Sequence, residues 1–381
     1  MLQRVRRRGR PSLFALSRKR RLRTKKGVQA AYEMLRIANN LQRTQTLCPS
    51  LQLEGVAKPF SKSPIYLLAE RSNGMKAAFL LIAAFVVASG NARAVATSQF
   101  APGFSAHTVQ AAGRTIYYRI GGSGPAVLLL HGYGDTGQMW AALAPVLAKT
   151  HTVIVPDLPG LGNSRPESPT AQYDMASVAR SIHSLMQRLK VQREAIVGHD
   201  IGLMVAYAYA AQFRSDVTRL ALMDAPIPGV GPWQTVLLLP GTWHFHFYGK
   251  YAEQLTAGRE RIYLDWLWDR FALHPERITN AERVTIAASY AQPGTMRVGF
   301  TYFKDFDTDA IADVAFAKLP LRIPVLAMGG EKSMGALMPQ FAKAVAVNVQ
   351  SSVIPDSGHW LMDENPGVTI AALSAFLSEN K

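Results

Sequence analysis

Two glycines, Gly198 and Gly202, frame the run Val197-Gly198-His199-Asp200-Ile201-Gly202 and constrain this chain more than any other stretch. The apolar residues 195–197 read as the end of a strand, and residues 203–211, rich in Ala, Met and Val, read as a helix. A strand that becomes a helix within so few residues must pass backbone against backbone, which the missing Cβ of glycine permits. The residue at the centre of such a turn is thrust out at the end of a sheet, with a helix N-terminus behind it. Asp200 is thereby displayed to solvent or ligand. The alternative is that its carboxylate only caps the following helix, a place that Asp fills well.

The residue type restricts the chemistry. A serine oxygen attacking a saturated carbon would give an ether, which water does not readily cleave, whereas a carboxylate gives an ester that water can hydrolyse. Aspartate at this position therefore suits displacement at an sp3 carbon, such as a ring carbon of an epoxide or a carbon bearing a halogen.

From about residue 104 the sequence alternates apolar strand-like runs with amphipathic helices, the pattern of an α/β fold with a mostly parallel sheet. Residues 115–120, 126–130, 152–155, 220–223, 325–328 and 349–354 read as strands, beside the one ending at Val197. Met175, Val178, Ala179, Ile182, Leu185, Met186 and Leu189 share one helical face, with Asp174 placed to cap it. The alternation breaks over residues 227–319, which hold four of the six tryptophans and no strand pattern. That stretch is expected to be a helical cap inserted after the strand ending near Met223. The core is then divided into residues 95–226 and 320–381, and Asn365-Pro366 opens a last helix.

The formal charge of +16 invites a nucleic-acid reading, but it is unevenly placed. Residues 1–74 carry 17 Lys and Arg against Glu33, Glu54 and Glu70, so the body is nearly neutral and is expected to bind no nucleic acid. At the join, Met75-Lys76 is followed by the 12 apolar residues 77–88 and by Ala92-Arg93-Ala94. A positive start, a short apolar run and an A-x-A site describe a secretory signal peptide over residues 75–94, too short for a stable membrane anchor. Translation is then expected to start at Met75, with residues 1–74 a disordered or mis-assigned extension and the product secreted or periplasmic. A polybasic arm is the competing reading of residues 1–74. The single cysteine, Cys48, falls in the same extension, which leaves the body without thiol chemistry or disulfides.

Four short motifs stand at expected strand ends, where parallel sheets hold their ligands. They are His131-Gly132-Tyr133-Gly134, the run from Asp157 to Ser164, the turn at Asp200, and Asp356-Ser357-Gly358-His359-Trp360. This order resembles the α/β-hydrolase superfamily over roughly residues 104–379, and the nucleophile places it near the branch containing epoxide hydrolases and dehalogenases. The resemblance implies that His359 is the base that directs water at the Asp200 ester, held in its tautomer by a carboxylate. In many relatives that carboxylate follows the strand after the cap, where this chain has Gly329-Gly330-Glu331-Lys332-Ser333, with serine at the acid's place. Asp224, after Met223, resembles instead the arrangement of secreted Cif-type epoxide hydrolases and fluoroacetate dehalogenases, and it is preferred to Glu331. Asp224 also has a plainer reading, as a turn residue before Pro226.

The family also implies backbone N–H donors for the oxyanion, here those of Tyr133 and Ile201. Haloalkane dehalogenases place Trp directly after the nucleophile and fluoroacetate dehalogenases place Arg there. Ile201 fits neither, which favours epoxide opening. An epoxide oxygen leaves as an alkoxide and needs a proton donor. Trp243-His244-Phe245 resembles the segment that supplies a ring-opening histidine, so His244 is the first candidate acid. The family's second acid is a tyrosine in a segment similar to Phe300-Thr301-Tyr302-Phe303-Lys304. The closest register puts Phe303 at its place and Tyr302 beside it, with Tyr248 and Tyr263 as substitutes. By default each of these aromatics is a core residue. No metal or organic cofactor is implied, and the aromatic cap points to a small apolar substrate of the epoxide type. Dehalogenation with the same three residues is the alternative, and a non-enzymatic binding protein on a retained scaffold is the alternative of another class.

Overall fold

The computed structural model describes residues 100–166 and 171–378. The basic extension 1–74 with Cys48, the signal-peptide expectation over 75–94 and the first residues of the expected core lie outside the described residues.

The fold begins with an antiparallel hairpin of β1 (Phe104–Ala111) and β2 (Arg114–Gly122). The chain then alternates β3 (Ala126–Leu130), α1 (Ala144–Leu147), β4 (Thr152–Pro156), α2 (Met175–Arg188), β5 (Glu194–His199), α3 (Ile201–Gln212) and β6 (Val217–Met223). Between β6 and the next strand run α4 (Trp233–Leu237), α5 (Lys250–Thr256), α6 (Glu260–Phe271), α7 (Asn280–Tyr290), α8 (Thr295–Lys304) and α9 (Phe306–Ala317), the expected helical cap. The sheet resumes with β7 (Leu321–Gly330), α10 (Met338–Val345) and β8 (Ala346–Ile354), and the chain closes with α11 (Leu361–Glu364) and α12 (Pro366–Ser378). The eight strands lie in the order β1-β2-β4-β3-β5-β6-β7-β8, parallel from β4 to β8 and antiparallel at β1 and β2.

Both faces of the sheet are covered. Leu128, Ile154, Ile196, Leu220 and Val325 point to one face, onto α2, α3 and α10. Their strand neighbours Val127, Val153, Val197, Ala221 and Leu326 point to the other, onto α1 and α12. Burial on both faces is why these strands read as continuous apolar runs rather than as alternating ones. Asp174 accepts a hydrogen bond from the Ser177 N–H at 2.9 Å and starts α2 as its sequence indicates.

The parallel register brings the functional motifs to one edge. Leu130 pairs with Gly198, His199 with Met223, and Gly330 with Ile354, so the loops following β3, β5, β6, β7 and β8 leave the sheet side by side. The loop after β3 also meets the cap, since Trp268 Nε1 donates to the Gly134 carbonyl at 3.1 Å and the Tyr290 hydroxyl accepts from the Gly134 N–H at 2.9 Å.

Candidate active site

Asp200 sits between β5 and α3 with φ 53° and ψ −126°, a left-handed conformation that a residue with a Cβ holds only at a cost of about 1–3 kcal/mol. Close packing enforces it. A Cβ on Gly198 would lie 2.3 Å from the Gly202 carbonyl oxygen, and one on Gly202 would lie 2.5 Å from that of His131. The Asp200 side chain makes no capping bond to α3, which removes the capping alternative. Its Oδ1 accepts instead from the Tyr133 N–H at 2.8 Å, and its Oδ2 lies 3.8 Å from His359 Nε2. One oxygen is thus held by the backbone and the other is turned toward the imidazole. Ile201 opens α3, where a backbone N–H has no acceptor in a preceding turn, and its side chain is fully buried.

His359 is placed by both ring nitrogens. Nδ1 lies 2.8 Å from Asp224 Oδ2, so Nδ1 carries the proton and Nε2, facing Asp200, is free to accept one. Burial by itself would lower the His359 pKa. The hydrogen bond and charge of Asp224, then the charges of Asp200 and Glu364, outweigh burial and leave it raised above the ordinary 6.5. The Asp224 side chain is fully buried and every lone-pair direction is used. Oδ1 accepts from the N–H groups of Gly330 at 2.9 Å and Met334 at 3.0 Å, and Oδ2 accepts from the Ser333 hydroxyl at 2.7 Å as well as from His359. The serine that stands at the usual acid's place thus supports the acid on the neighbouring strand. Glu331 points elsewhere, half exposed and bonded to Lys332 and to the Asp356 N–H.

His199 enters the site without having been singled out in the sequence. Its Nε2 donates to the His359 carbonyl at 2.9 Å, and the two rings stand 4.5 Å apart. Burial, reinforced by the neighbouring His359, lowers its pKa to about 4, so it supports the base loop as a neutral ring. His131 shapes loops, as its position suggests. Nε2 accepts from the Leu158 N–H at 2.8 Å, which leaves Nδ1 to donate to the Gly132 carbonyl at 2.8 Å.

The cap closes the site with aromatic side chains. His244, on the short 3-10 segment Pro240–His246, is buried against Phe303 at 5.4 Å, Phe271 at 5.3 Å and Trp266 at 5.8 Å between ring centres. Its Nδ1 has no hydrogen-bond partner. Burial lowers its pKa to about 4, against the opposing charge of Asp200 and a hydrogen bond with the Gly241 backbone, so at neutral pH it is an uncharged imidazole.

Tyr302 requires a correction as a substrate-facing residue. Its hydroxyl donates to the Pro159 carbonyl at 3.0 Å, and the ring packs on Tyr173. One residue further along α8, about 100° around the helix, Phe303 lies 4.7 Å from the Tyr133 ring and beside His244. Phe303 therefore occupies the site wall and brings no hydroxyl to it. Tyr248 lies partly exposed on the cap exterior, whereas Tyr263 packs edge-on to Tyr133 at 6.5 Å inside the cap. Among the described residues no cluster of three or more His, Cys, Asp or Glu is placed to hold a metal ion, and no helix is long and apolar enough to cross a membrane.

The chain is similar to several known proteins. A family profile described as alpha/beta hydrolase fold matches residues 125–366. A soluble epoxide hydrolase of Corynebacterium sp. (strain C12) is 29% identical over 288 residues, which span 71% of this chain and 96% of that one. A fluoroacetate dehalogenase of Burkholderia sp. is 30% identical over 298 residues, spanning 73% of this chain and 95% of that one. The crystal structure of wild-type Cfl2 from Burkholderia cenocepacia superposes with a TM-score of 0.68 at 32% identity, covering 72% of this chain and 96% of the other.

Proposed function

The chain belongs to the α/β-hydrolase fold family, and from that premise we propose that it is an epoxide hydrolase that forms a vicinal diol through an ester on Asp200. One observation carries this reading: a single carboxylate, with one oxygen held by the Tyr133 N–H, lies beside an imidazole backed by a buried acid and near enough to a buried neutral His244 for its charge to act on that ring.

In the first step Asp200 Oδ2 attacks a ring carbon, the carbon–oxygen bond of the epoxide breaks, and the N–H of His244 shares its proton with the departing alkoxide. A neutral imidazole can do this because its own N–H acidity is close to that of an alcohol, so neither partner needs to be charged at the start. In the second step water attacks the ester carbonyl while His359 Nε2 takes its proton. The tetrahedral oxygen anion is held by the N–H groups of Tyr133 and Ile201. The intermediate then expels the diol oxygen, which takes the proton from His359, and the water proton left on the Asp200 carboxyl returns to His244, so that carboxylate and neutral imidazole are both regenerated. Asp224 stabilises the transient imidazolium and fixes its tautomer. The aromatic wall of Phe271, Phe303 and Trp266 suits a small apolar epoxide.

Dehalogenation is the second reading, favoured by the resemblance to the fluoroacetate dehalogenase. The same carboxylate would displace a halide, which leaves without a proton. The buried, apolar Ile201 offers no side-chain donor for a halide or a substrate carboxylate. A panel of epoxides and haloacids, with Asp200→Asn as control, separates the readings. Diol formation that disappears in the control is expected. Halide release without diol formation moves the protein to the dehalogenases, and diol formation that persists in the control overturns the Asp200 mechanism. The proposal extends to location. The natural protein starts at Met75 and is exported, and any tryptic peptide from residues 1–74 in a sample from its source contradicts this.

A further inference from the structure

A second fully hydrogen-bonded carboxylate lies behind the base. Glu364 is buried at the end of α11, five residues after His359. Its Oε2 accepts three backbone N–H groups, from Leu273 at 2.7 Å, His274 at 3.0 Å and Gly358 at 3.0 Å, and its Oε1 accepts the Trp360 N–H at 3.0 Å. Two of these donors flank His359. The other two lie on the strap that leaves α6 of the cap. Strap and base loop also touch directly, since the His359 N–H donates to the Phe271 carbonyl at 2.9 Å and a Cβ on Gly358 would stand 2.5 Å from that oxygen. On the outer side the strap grips the loop again, with His274 Nε2 2.6 Å and Arg277 Nη2 2.8 Å from the Asp356 carboxylate.

We propose that Glu364 is the positioning residue for the base, gathering the N–H groups on both sides of His359 and those of the cap strap onto one carboxylate, so that the placement of the imidazole depends on the placement of the cap. This rests on the reading of His359 as the base for ester hydrolysis. Only a carboxylate suits the place. Four converging donors need a group that accepts at both oxygens, whereas glutamine has one oxygen and sets an amide N–H2 against the remaining N–H groups. The Glu364 charge also belongs to those that raise the basicity of His359.

The test is single-turnover kinetics of the full chain and its Glu364→Gln variant with styrene oxide, following the Asp200 adduct by intact mass. Alkylation of Asp200 should stay within about twofold, because it does not use the base. Hydrolysis of the adduct should slow on the order of 10- to 100-fold, so the adduct accumulates. The midpoint of its pH dependence should move to lower pH, because a charge that favours the imidazolium is gone. Equal loss in both steps with an unmoved midpoint overturns the proposal, and so does an unchanged hydrolysis rate.

Amide hydrogen exchange of the unsubstituted protein keeps the question open to refutation if the variant does not fold. The amides of Leu273, His274, Gly358 and Trp360 should show a common protection. Protection differing by more than about tenfold between the strap pair and the loop pair overturns the coupling of base to cap. A wild-type chain that forms neither adduct nor diol from any epoxide refutes the epoxide reading, and the exchange experiment then still decides the role of Glu364.

Discussion

The strand-end face of the site and the inner face of the cap are built on different physics. On the strand ends the polar atoms are tied to backbone. Asp224 accepts from two N–H groups, a hydroxyl and the base, Asp200 from the Tyr133 N–H, and His359 is held at Nδ1 by Asp224. On the cap side the contacts are between rings, such as Phe303 with Tyr133 and His244 with Phe271, and the Nδ1 of His244 has no partner. Hydrogen bonds fix direction as well as distance, whereas ring packing mainly fixes volume. The sheet side therefore specifies which bond-making steps are possible, and the cap side specifies what shape of molecule undergoes them. The left-handed backbone of Asp200 and Asp224, φ 53° and 54°, belongs to the first kind of order, since the bonding of each strand end holds it in place.

The largest expected effect is on the strand-end side. Asp224→Asn should lower hydrolysis of the Asp200 ester on the order of 10⁴-fold, with the adduct trapped, as measured by quenched-flow and mass. The reason is directional. The Gly330 and Met334 N–H groups keep an amide oxygen turned toward them, which aims the amide N–H2 at His359 and forces the proton onto Nε2, where it blocks the base. In the unsubstituted protein the hydrolysis step should rise with pH, because the base works only when neutral. Its midpoint should lie above 6.5, since the folded environment raises the His359 pKa. Glu331→Gln is the contrast, expected to change the same rate less than about twofold because Glu331 is exposed and bonded away from the base. A loss in Glu331→Gln as large as that in Asp224→Asn would break the account of the sheet side.

The sheet side was also the more legible in the sequence, for the same physical reason. Gly198 and Gly202 announce a backbone that crowds itself, and the parallel register then sets Asp200, Asp224 and His359 on one edge. The serine at the usual acid's place pointed to Asp224, whereas its hydroxyl bond to that acid shows only in the structure. The cap was less legible because Tyr302 and Phe303 are equally aromatic, and only the rotation of α8 decides that the first bonds Pro159 while the second faces Tyr133. His199 and Glu364 were missed for another reason. Their partners are backbone groups, a carbonyl of His359 and four N–H groups, which every stretch of chain possesses and no residue type marks.

The second effect, on the cap side, is smaller because it removes one donor from an otherwise apolar wall. His244→Phe should slow alkylation of Asp200 by an epoxide on the order of 100-fold and leave hydrolysis of a preformed adduct unchanged, as read in rapid-quench measurements of the two steps. Equal slowing of both steps would show that His244 serves the strand-end machinery and would erase the division between the two faces.

The smallest effect tests whether the cap can be given direction. Phe303→Tyr adds one hydroxyl to a ring buried between Tyr133, His244, Phe245 and Phe306. In the free protein a buried hydroxyl without a partner costs about 1–3 kcal/mol, so the melting temperature should fall by several degrees. In the complex the same hydroxyl stands beside His244 and can share the leaving oxygen, so alkylation by an epoxide should rise several-fold while adduct hydrolysis stays the same. Loss of stability and gain in the first step would come from one atom, since the group that lacks a partner without substrate finds one with it. An alkylation rate that does not rise, together with a lowered melting temperature, would mean that position 303 contributes only volume and that His244 alone supplies the donor.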